Sequence, residues 1–422
     1  MGLTAFLFPV AAKRPHELTV GLPLSKAPKT AFTPINTLSF PFLLWALLAW
    51  LASSQQTFSQ TRFEMTPQVE QWVRNGQKAM YSYDFDRAHQ EFDELIRHFP
   101  NHPIGYMYQA EVFWWLALSD KTNKSLENSF NQYTEKAIAT GEALLRKDPK
   151  DFYALLFLAG TYGNKVRFLI SINKRYVGAL SPGKKGNNYC MQGLALRPDY
   201  VDLLIGPGAF DYFAGALPAV IKPFAWLLGA RGDKEKGLRE LQTVAQRGEF
   251  GQTEAKTVLL GVYSNEASVH EERFDDYRAL NIDLINLYPS NHVFYMWLAN
   301  YYISRSQLDD GIRYFSNLIG RARGDSGVRI SLGYAYYEKG RIELKKRALD
   351  EAGTSFSRAI EEGVKNANLL SLAHLRKGFA LDLRHRRDAA TGEYKIVLTL
   401  PDVEESHKLA SRFLRSPYQG LP

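Results

Sequence analysis

The sequence predicts an all-α protein made of consecutive helical hairpins. Runs that alternate apolar β-branched residues with polar ones, as strands do, do not occur along the chain. A proline followed by a helix-capping residue recurs, as expected where one helix ends and the next begins. A small residue followed four positions later by a large apolar one also recurs, for example at Ala88 and Phe92. Small residues at such positions let two helices cross closely, so the repeating unit is predicted to be a pair of helices.

The composition fits a globular chain and excludes several kinds of site. Hydrophobic residues make up 45% of the 422 residues and charged residues 23%, which excludes wholesale disorder. The single cysteine, Cys190, excludes intramolecular disulfides, Cys-rich zinc sites and iron–sulfur clusters. The net charge of +8 is spread in small clusters, so we expect no nucleic-acid partner.

Residues 1–54 are predicted to be a signal or leader segment. Residues 38–52, from Leu38 to Ala52, form an uncharged apolar run that is short for a membrane span of about 20 residues. Ala52 and Ser54 are small, which fits cleavage after Ser54 and places the mature chain at residues 55–422. The positive flank upstream consists of Lys13, Arg14, Lys26 and Lys29. We expect export to the periplasm or cell envelope; the alternative is an uncleaved anchor through residues 38–52.

Residues 69–102 contain one complete helical repeat. Its fixed positions are Trp72, Gly76, Ala79, Ala88, Phe92, Leu95 and Pro100. This spacing resembles the tetratricopeptide repeat (TPR), a helix–turn–helix unit of about 34 residues, although Asn75 and Ala79 depart from its pattern. Pro100 is predicted to end the second helix, and Asn101 to cap the following one.

The repeats at 103–290 are divergent. They keep the ending of the second helix, since Ala137 and Gly186 each lie 12 residues before a proline, as Ala88 does. The terminators are Pro100-Asn101-His102, Pro149-Lys150-Asp151, Pro198-Asp199-Tyr200 and Pro289-Ser290-Asn291. Proline-to-proline separations longer than the repeat indicate that these units have gained residues.

The pattern sharpens again toward the carboxyl end. Clear repeats are predicted at 292–325, 326–366 and 371–402. In the second of these, Gly333 is taken as the repeat glycine, which implies about seven extra residues between its two helices. In the third, Gly378 and Tyr394 hold the corresponding positions.

The resemblance to the TPR family implies a right-handed α-solenoid of about eight hairpins, each packed only on its neighbours. Residues 203–229 form a longer apolar insert in its middle, with only Asp211 and Lys222 charged. We expect this insert to be buried between repeats; the alternatives are a membrane-contacting hairpin and an apolar ligand pocket. The insert looks like a feature of exported bacterial TPR proteins of unassigned function. A fainter similarity to the mitochondrial outer-membrane inclusion-clearance repeat proteins supplies no reaction.

The resemblance also implies that the first helix of each hairpin lines a concave groove that binds protein or peptide. By helical register, side chains one turn from the packing positions point into it. The predicted groove residues are Gln77, Met80, Asn300, Tyr334, Tyr337 and Phe379. The basic clamp for a terminal carboxylate is not evident, because Val73 and Gln77 hold its positions.

No catalytic, metal or cofactor motif is complete. The segment from Gly178 to Lys185 resembles a phosphate-binding loop but lacks the final Ser or Thr. His98 and His102 are separated by a helix-breaking proline, and His270 is expected at a charged helix start. The group Asp211, Tyr212 and Lys222 gives the only support for an enzyme. We therefore expect an exported, non-enzymatic scaffold that binds a protein or peptide; the alternative is a membrane-associated scaffold anchored by residues 38–52 or 203–229.

Overall fold

The computed structural model describes residues 63–121, 123–216, 232–266, 272–324 and 331–420. All of them belong to one compact unit, Arg62–Pro422. The predicted leader, including the apolar run 38–52 and the cut after Ser54, lies outside the described residues. So do part of the apolar insert 203–229 and His270.

The described residues consist mainly of helices. They are α1 Pro67–Tyr81, α2 Phe85–His98, α3 Pro103–Ser119, α4 Lys124–Lys147, α5 Phe152–Ser171, α6 Leu180–Leu196, α7 Ile205–Gly215, α8 Lys234–Arg247, α9 Gln252–Glu266, α10 Glu272–Leu287, α11 His292–Ser304, α12 Leu308–Gly324, α13 Leu332–Lys346, α14 Leu349–Glu362, α15 Ala367–Leu383, α16 Arg387–Val397 and α17 Ser406–Arg415. Short 3₁₀ turns at Val177–Ala179 and Val201–Leu204 precede α6 and α7.

These helices pair in order, α1 with α2 through α15 with α16, so the described helices form eight hairpins. The final helix, α17, packs on α15 and α16. No strand occurs among the described residues. The predicted all-α solenoid of helical hairpins is confirmed. Its right-handed sense stays a prediction. No described helix has both the length and the apolar character to cross a membrane.

Capping residues begin several helices where the sequence predicts them. The Asp151 carboxylate accepts from the amide of Ala154 at the start of α5. The Asn291 side chain accepts from the amide of Val293 at the start of α11. At α3 the prediction is wrong by one residue, because His102, not Asn101, supplies the cap through Nδ1 to the amide of Ile104. His102 is buried against the ring of Phe63, which fixes it in that position.

A glycine on the first helix and an aromatic ring on the second set how closely three hairpins cross. In each, the aromatic residue follows the glycine by 16 positions, and a Cβ on the glycine would lie 2.8 Å or less from the ring. The pairs are Gly76 with Phe92, Gly340 with Phe356 and Gly378 with Tyr394. A side chain at these glycines would force the helices apart, so the glycine fixes the hairpin geometry.

This spacing corrects the predicted repeat at 326–366. Gly333 is not the repeat glycine; its α-carbon faces Leu369 of the next hairpin, and Gly340 holds the repeat position. Only Arg347 and Ala348 separate α13 from α14, so the expected seven-residue insertion between the helices does not exist. Arg347 adopts a φ of 68°, which allows the tight turn.

The hairpins do not pack only on their neighbours, and that prediction is wrong. Ser290 donates its hydroxyl to the carbonyl of Ser82 at 2.6 Å, across 208 residues. The side-chain amide of Asn291 donates to the carbonyl of Tyr81 at 3.0 Å. The Trp115 ring packs edge-on against Phe294, with centroids 5.7 Å apart. We call this contact of α1, α3 and α5 with the 248–251 loop, α9 and α11 the junction. Burial of its aromatic rings is the physical reason that it closes.

Candidate functional site

Four of the six predicted groove residues lie in the interior. Met80, Tyr334, Tyr337 and Phe379 are 0%, 8%, 4% and 2% exposed. The expectation that their side chains line an open groove is therefore wrong for this structure. Tyr334 stacks on His292, and Phe379 stacks on Tyr418 with ring centroids 4.1 Å apart. Large apolar rings on the first helices are buried more favourably against each other than they would be beside water.

The other two predicted residues keep polar atoms at the surface. The side-chain amide of Gln77 donates to the carbonyl of Phe250 at 3.1 Å, so this half-buried residue lies at the junction. Asn300 is exposed, and its side-chain oxygen accepts from Arg341 Nη2 at 2.8 Å. A role for either residue in binding protein stays a prediction.

A cleft of about 240 Å³ opens where α1 meets the loop 248–251. We call it the junction cleft. It is lined by Arg74, Gln77, Lys78, Tyr81, Glu249, Phe250, Gln252, Thr253 and Tyr288. Its walls thus come from α1, the start of α9 and the chain just after α10, and they combine aromatic rings with charged and amide groups.

Asp202 holds one wall of the junction cleft in place. Its two carboxylate oxygens accept from the amides of Glu249 and Phe250, both at 2.8 Å. A Cβ on Gly248 would lie 2.4 Å from the same carboxylate, so only glycine fits at that turn. The loop is further tied to α1, because Arg74 Nη2 lies 3.0 Å from Glu249 Oε1 and its guanidinium lies over the Phe250 ring. The cleft is therefore a pre-formed feature of the fold.

Hydroxyl groups form the inner end of the junction cleft. Thr253 Oγ1 and Tyr288 OH lie 2.8 Å apart. Tyr81 OH donates to Glu111 Oε1 at 3.4 Å. Burial raises the pKa of Tyr81 well above its ordinary value, so its hydroxyl stays protonated and acts as a donor. Tyr81 thereby connects the cleft to a charged cluster beneath it.

That cluster, which we call the ion triad, consists of Glu111, Arg167 and Glu254 on α3, α5 and α9. Arg167 Nη1 lies 2.5 Å from Glu254 Oε2, and Arg167 Nη2 lies 3.4 Å from Glu111 Oε1. The side chains are 15% exposed for Arg167, 7% for Glu111 and 19% for Glu254. The guanidinium also lies 4.2 Å from the centre of the Trp114 ring. One buried cation therefore serves two carboxylates that belong to opposite sides of the junction.

Burial dominates the proton affinity of both carboxylates. It raises the pKa of Glu254 to about 7, with Arg167 opposing the shift and Glu111 adding to it. Burial likewise raises the pKa of Glu111, against the attraction of Arg167. One arginine cannot offset the desolvation of two carboxylates, so Glu254 takes up a proton near neutral pH. The ion triad is a structural contact with a titratable member.

Sequence patterns do not predict this site, although one signal for it is present. Glu111 is the single charged residue of α3, whose remaining residues are mostly apolar or aromatic. An isolated carboxylate on an otherwise apolar helix must find a buried partner. Its partner Arg167 is 56 positions away and Glu254 is 143 away, so helical register alone could not connect them.

Among the described residues, the remaining chemical candidates have ordinary structural surroundings. Cys190 is buried, and burial raises its pKa to about 12, so it is not a thiolate. Gly183, Lys184 and Lys185 lie inside α6, so the phosphate-loop conformation is absent there. Asp211 pairs with Lys236 at 2.7 Å, while Lys222 lies outside the described residues. No group of three or more potential metal ligands occurs in the described parts of the chain.

Comparisons with known proteins find only distant structural similarity. Neither a protein-family model nor a curated protein sequence matches this chain. Similar solved structures include a tetratricopeptide repeat protein from Parabacteroides merdae, with 12% identity, coverage of 74% of this chain and 99% of that one, and a TM-score of 0.31. IFIT1, solved with m7Gppp-AAAA, has 13% identity, 89% and 70% coverage and a TM-score of 0.37. Yeast Tom70 has 11% identity, 90% and 93% coverage and a TM-score of 0.23. With scores this low, the fold rests on the described helices themselves.

Proposed function

We propose that the chain is an exported, non-enzymatic scaffold that binds another protein by holding an extended segment of it in the junction cleft. The observation that carries this proposal is the cleft itself, a fixed concavity whose lining mixes aromatic rings with hydrogen-bonding groups. It replaces the open groove as the binding site, because the groove residues Met80, Tyr334, Tyr337 and Phe379 are buried.

The size and chemistry of the cleft favour a few side chains of a peptide over an entire small molecule or cofactor. Its volume of about 240 Å³ is below the range of roughly 300–1,000 Å³ typical of small-molecule and cofactor pockets. It suits a few side chains of an extended chain. Phe250 and Tyr288, which are half-buried, offer ring surface at low entropic cost, whereas Tyr81 is buried. Lys78, exposed at the rim, and the amino end of α9 favour an acidic side chain in the bound segment.

Export rests on the leader. The uncharged run 38–52 has the length of a signal-peptide core, and Ala52 and Ser54 provide a cleavage site. The periplasm or cell envelope is therefore the proposed location. The second candidate is a membrane-associated scaffold, and the same apolar run favours it if the leader stays attached as an anchor.

A site-specific photo-crosslinker tests the binding site. Placed at Gln252, on the rim of the junction cleft, it should give a discrete protein adduct when the chain is irradiated in its own envelope fraction. Changing Lys78→Glu should reduce that adduct at least about fivefold, because it puts a repelling charge at the rim. The readout is the adduct band and its identification by mass spectrometry.

The matched control carries the crosslinker at Asn317, an exposed position on α12 outside the cleft. This control should give no discrete adduct. Identical adducts from Gln252 and Asn317, or an adduct that Lys78→Glu leaves unchanged, would reject the junction cleft as the binding site.

A further inference from the structure

The turn between α5 and α6 has the features of a lipid-contacting loop. We propose that this turn, residues Lys174, Arg175, Tyr176 and Val177, docks on the headgroup region of an anionic phospholipid surface. We call these four residues the α5–α6 tip. This inference goes beyond the proposed peptide site and does not depend on it or on the leader.

The α5–α6 tip exposes apolar side chains that the fold could have buried. Val177 is 75% exposed and Tyr176 62% exposed, while the neighbouring Ala179 is buried. Tyr176 and Val177 are adjacent and lie in the turn between α5 and α6, where they can enter a lipid surface without any movement of a helix. Tyrosine is suited to the boundary between headgroups and acyl chains, because its ring is apolar and its hydroxyl is polar.

The hairpin that carries this tip has no acidic residue. Between Asp151 and Asp199 the sequence contains no Asp or Glu. The bases in this stretch are Lys165, Arg167, Lys174, Arg175, Lys184, Lys185 and Arg197. Arg167 is paired in the ion triad, and Arg197 lies over Phe152 at the other end of the hairpin, so Lys174 and Arg175 are the bases of the tip itself. Anionic membranes attract such clusters, and each base near the surface strengthens binding about fivefold.

The exposed face of α6 continues the same surface. Lys184, Asn188 and Met191 follow one another at helical spacing and are all exposed. Met191 is 52% exposed, so an apolar side chain follows Lys184 and Asn188 along that face. Basic and apolar side chains without acids on one face are typical of helices that lie at a membrane surface.

The nearest acid does not cancel this charge. Glu127 on α4 faces the tip, but Lys124 Nζ lies 2.7 Å from its Oε2, and Asn173 donates to its Oε1 at 3.0 Å. These contacts and Arg175 lower the pKa of Glu127, with the hydrogen bond from Lys124 as the largest cause. On the same side, Lys121 lies close enough to Lys174 for the two charges to repel, although Glu404 attracts Lys121. The charges around the tip are therefore mixed, and the tip itself contributes the bases Lys174 and Arg175.

The exposed apolar side chains of the tip favour a lipid surface over a nucleic acid as its partner. Either polyanion would be attracted by Lys174 and Arg175. A nucleic acid, however, is bound by stacking of bases on planar groups and by phosphate contacts, and neither uses an exposed valine. An acyl-chain boundary accepts Val177 and Tyr176 together.

A fluorophore at the tip tests the proposal in the full chain. Cys190 is buried, so a thiol-reactive, polarity-sensitive dye attached through Val177→Cys labels the tip alone. Vesicles of phosphatidylcholine with about one quarter phosphatidylglycerol should shift its emission to the blue. Vesicles of pure phosphatidylcholine should do so at least about tenfold more weakly. The added change Lys174→Ala with Arg175→Ala should weaken binding about 25-fold, which is fivefold for each base.

The control dye is attached through Val364→Cys, a valine 69% exposed in the connection after α14, where Glu361 and Glu362 precede it. Its emission should not shift, even if the leader brings the chain to the vesicle. Equal shifts at both positions, or no shift at Val177, would overturn the proposal. A response to single-stranded RNA without any response to anionic vesicles would also overturn it and assign the tip to nucleic acid.

Discussion

Replacing Arg167 with methionine should lower the free energy of unfolding by about 3–5 kcal/mol, because it leaves two buried carboxylates without their cation. Methionine preserves most of the side-chain volume against Trp114, so packing loss contributes little. The change removes the contacts to Glu254 and Glu111 together. Urea unfolding followed by far-ultraviolet circular dichroism measures the loss.

The size of this effect should depend on pH in a defined direction. The pKa of Glu254 is already raised to about 7, and without Arg167 it rises further. Glu254 has a higher pKa in the folded protein than its unfolded value of 4.5. At low pH, where it is protonated in both states, it does not lower the free energy of unfolding. Its cost grows as pH rises toward the folded pKa. Arg167→Met should therefore destabilise more at about pH 8 than at about pH 5.

A second change separates charge from packing. Adding Glu254→Gln to Arg167→Met removes one unpaired carboxylate and should restore about half of the loss at about pH 8. A loss below about 1 kcal/mol for Arg167→Met that does not vary with pH would contradict the account of the ion triad.

The second large effect is acid lability from two buried histidines. Burial lowers the pKa of both His102 and His292 from 6.5 to about 3. These imidazoles therefore stay neutral in the folded protein, whereas in the unfolded chain they bind protons below pH 6.5. The free energy of unfolding decreases as the pH falls from 6.5 toward 3. At about pH 4.5 each histidine costs about 2.7 kcal/mol, or about 5 kcal/mol together.

A substitution at His292 isolates one of these contributions. His292 stacks on Tyr334 with ring centroids 3.8 Å apart, and its Nε2 lies 3.0 Å from Ser119 Oγ. His292→Phe keeps the stacked ring but cannot titrate. The free energy of unfolding of His292→Phe, minus that of the unchanged chain, should increase by about 2.7 kcal/mol when the pH falls from about 8 to about 4.5.

The comparison with the unchanged chain is essential, because Glu254 and Glu111 also change the free energy of unfolding with pH. Their pKa values are raised, so lowering the pH stabilises the folded state through them, opposite to the histidines. Tyr334→Phe is the control, since it keeps the ring stacked on His292 and removes only a hydroxyl whose pKa burial raises far above this pH range. It should leave the pH dependence as it was. A parallel pH profile for His292→Phe and the unchanged chain would mean that His292 accepts protons in the folded state.

Much of the fold could be predicted because its signals are local. Pro149 and Asp151 mark a helix boundary within three residues, and the Asp151 carboxylate caps α5 as expected. Gly76 and Phe92 lie on adjacent helices of one hairpin, so their spacing survives in the sequence. Where two glycines compete for the repeat position, as Gly333 and Gly340 do, the interval of 16 residues to Phe356 identifies Gly340.

The candidate site could not be predicted because its contacts are distant in sequence. The junction brings Tyr81 to Asn291 and Arg167 to Glu254, and no helical period connects such pairs. The groove prediction failed at Tyr334 for a related reason. Register gives the face of a helix on which a residue lies, but whether that face meets solvent or another hairpin depends on how the array curves.

Crosslinking across the junction tests whether the first hairpin contacts the start of α11. Ser82 and Ser290 are joined by a hydrogen bond although they belong to hairpins far apart in sequence. With Ser82→Cys and Ser290→Cys in one chain, a short bismaleimide should link them within the molecule, because the buried Cys190 does not compete. The pair Ser82→Cys with Asn317→Cys serves as the control and should not link. We expect a Ser82–Ser290 peptide link in most molecules; its absence would mean that the first hairpin stands free of α11 and that the junction cleft does not exist.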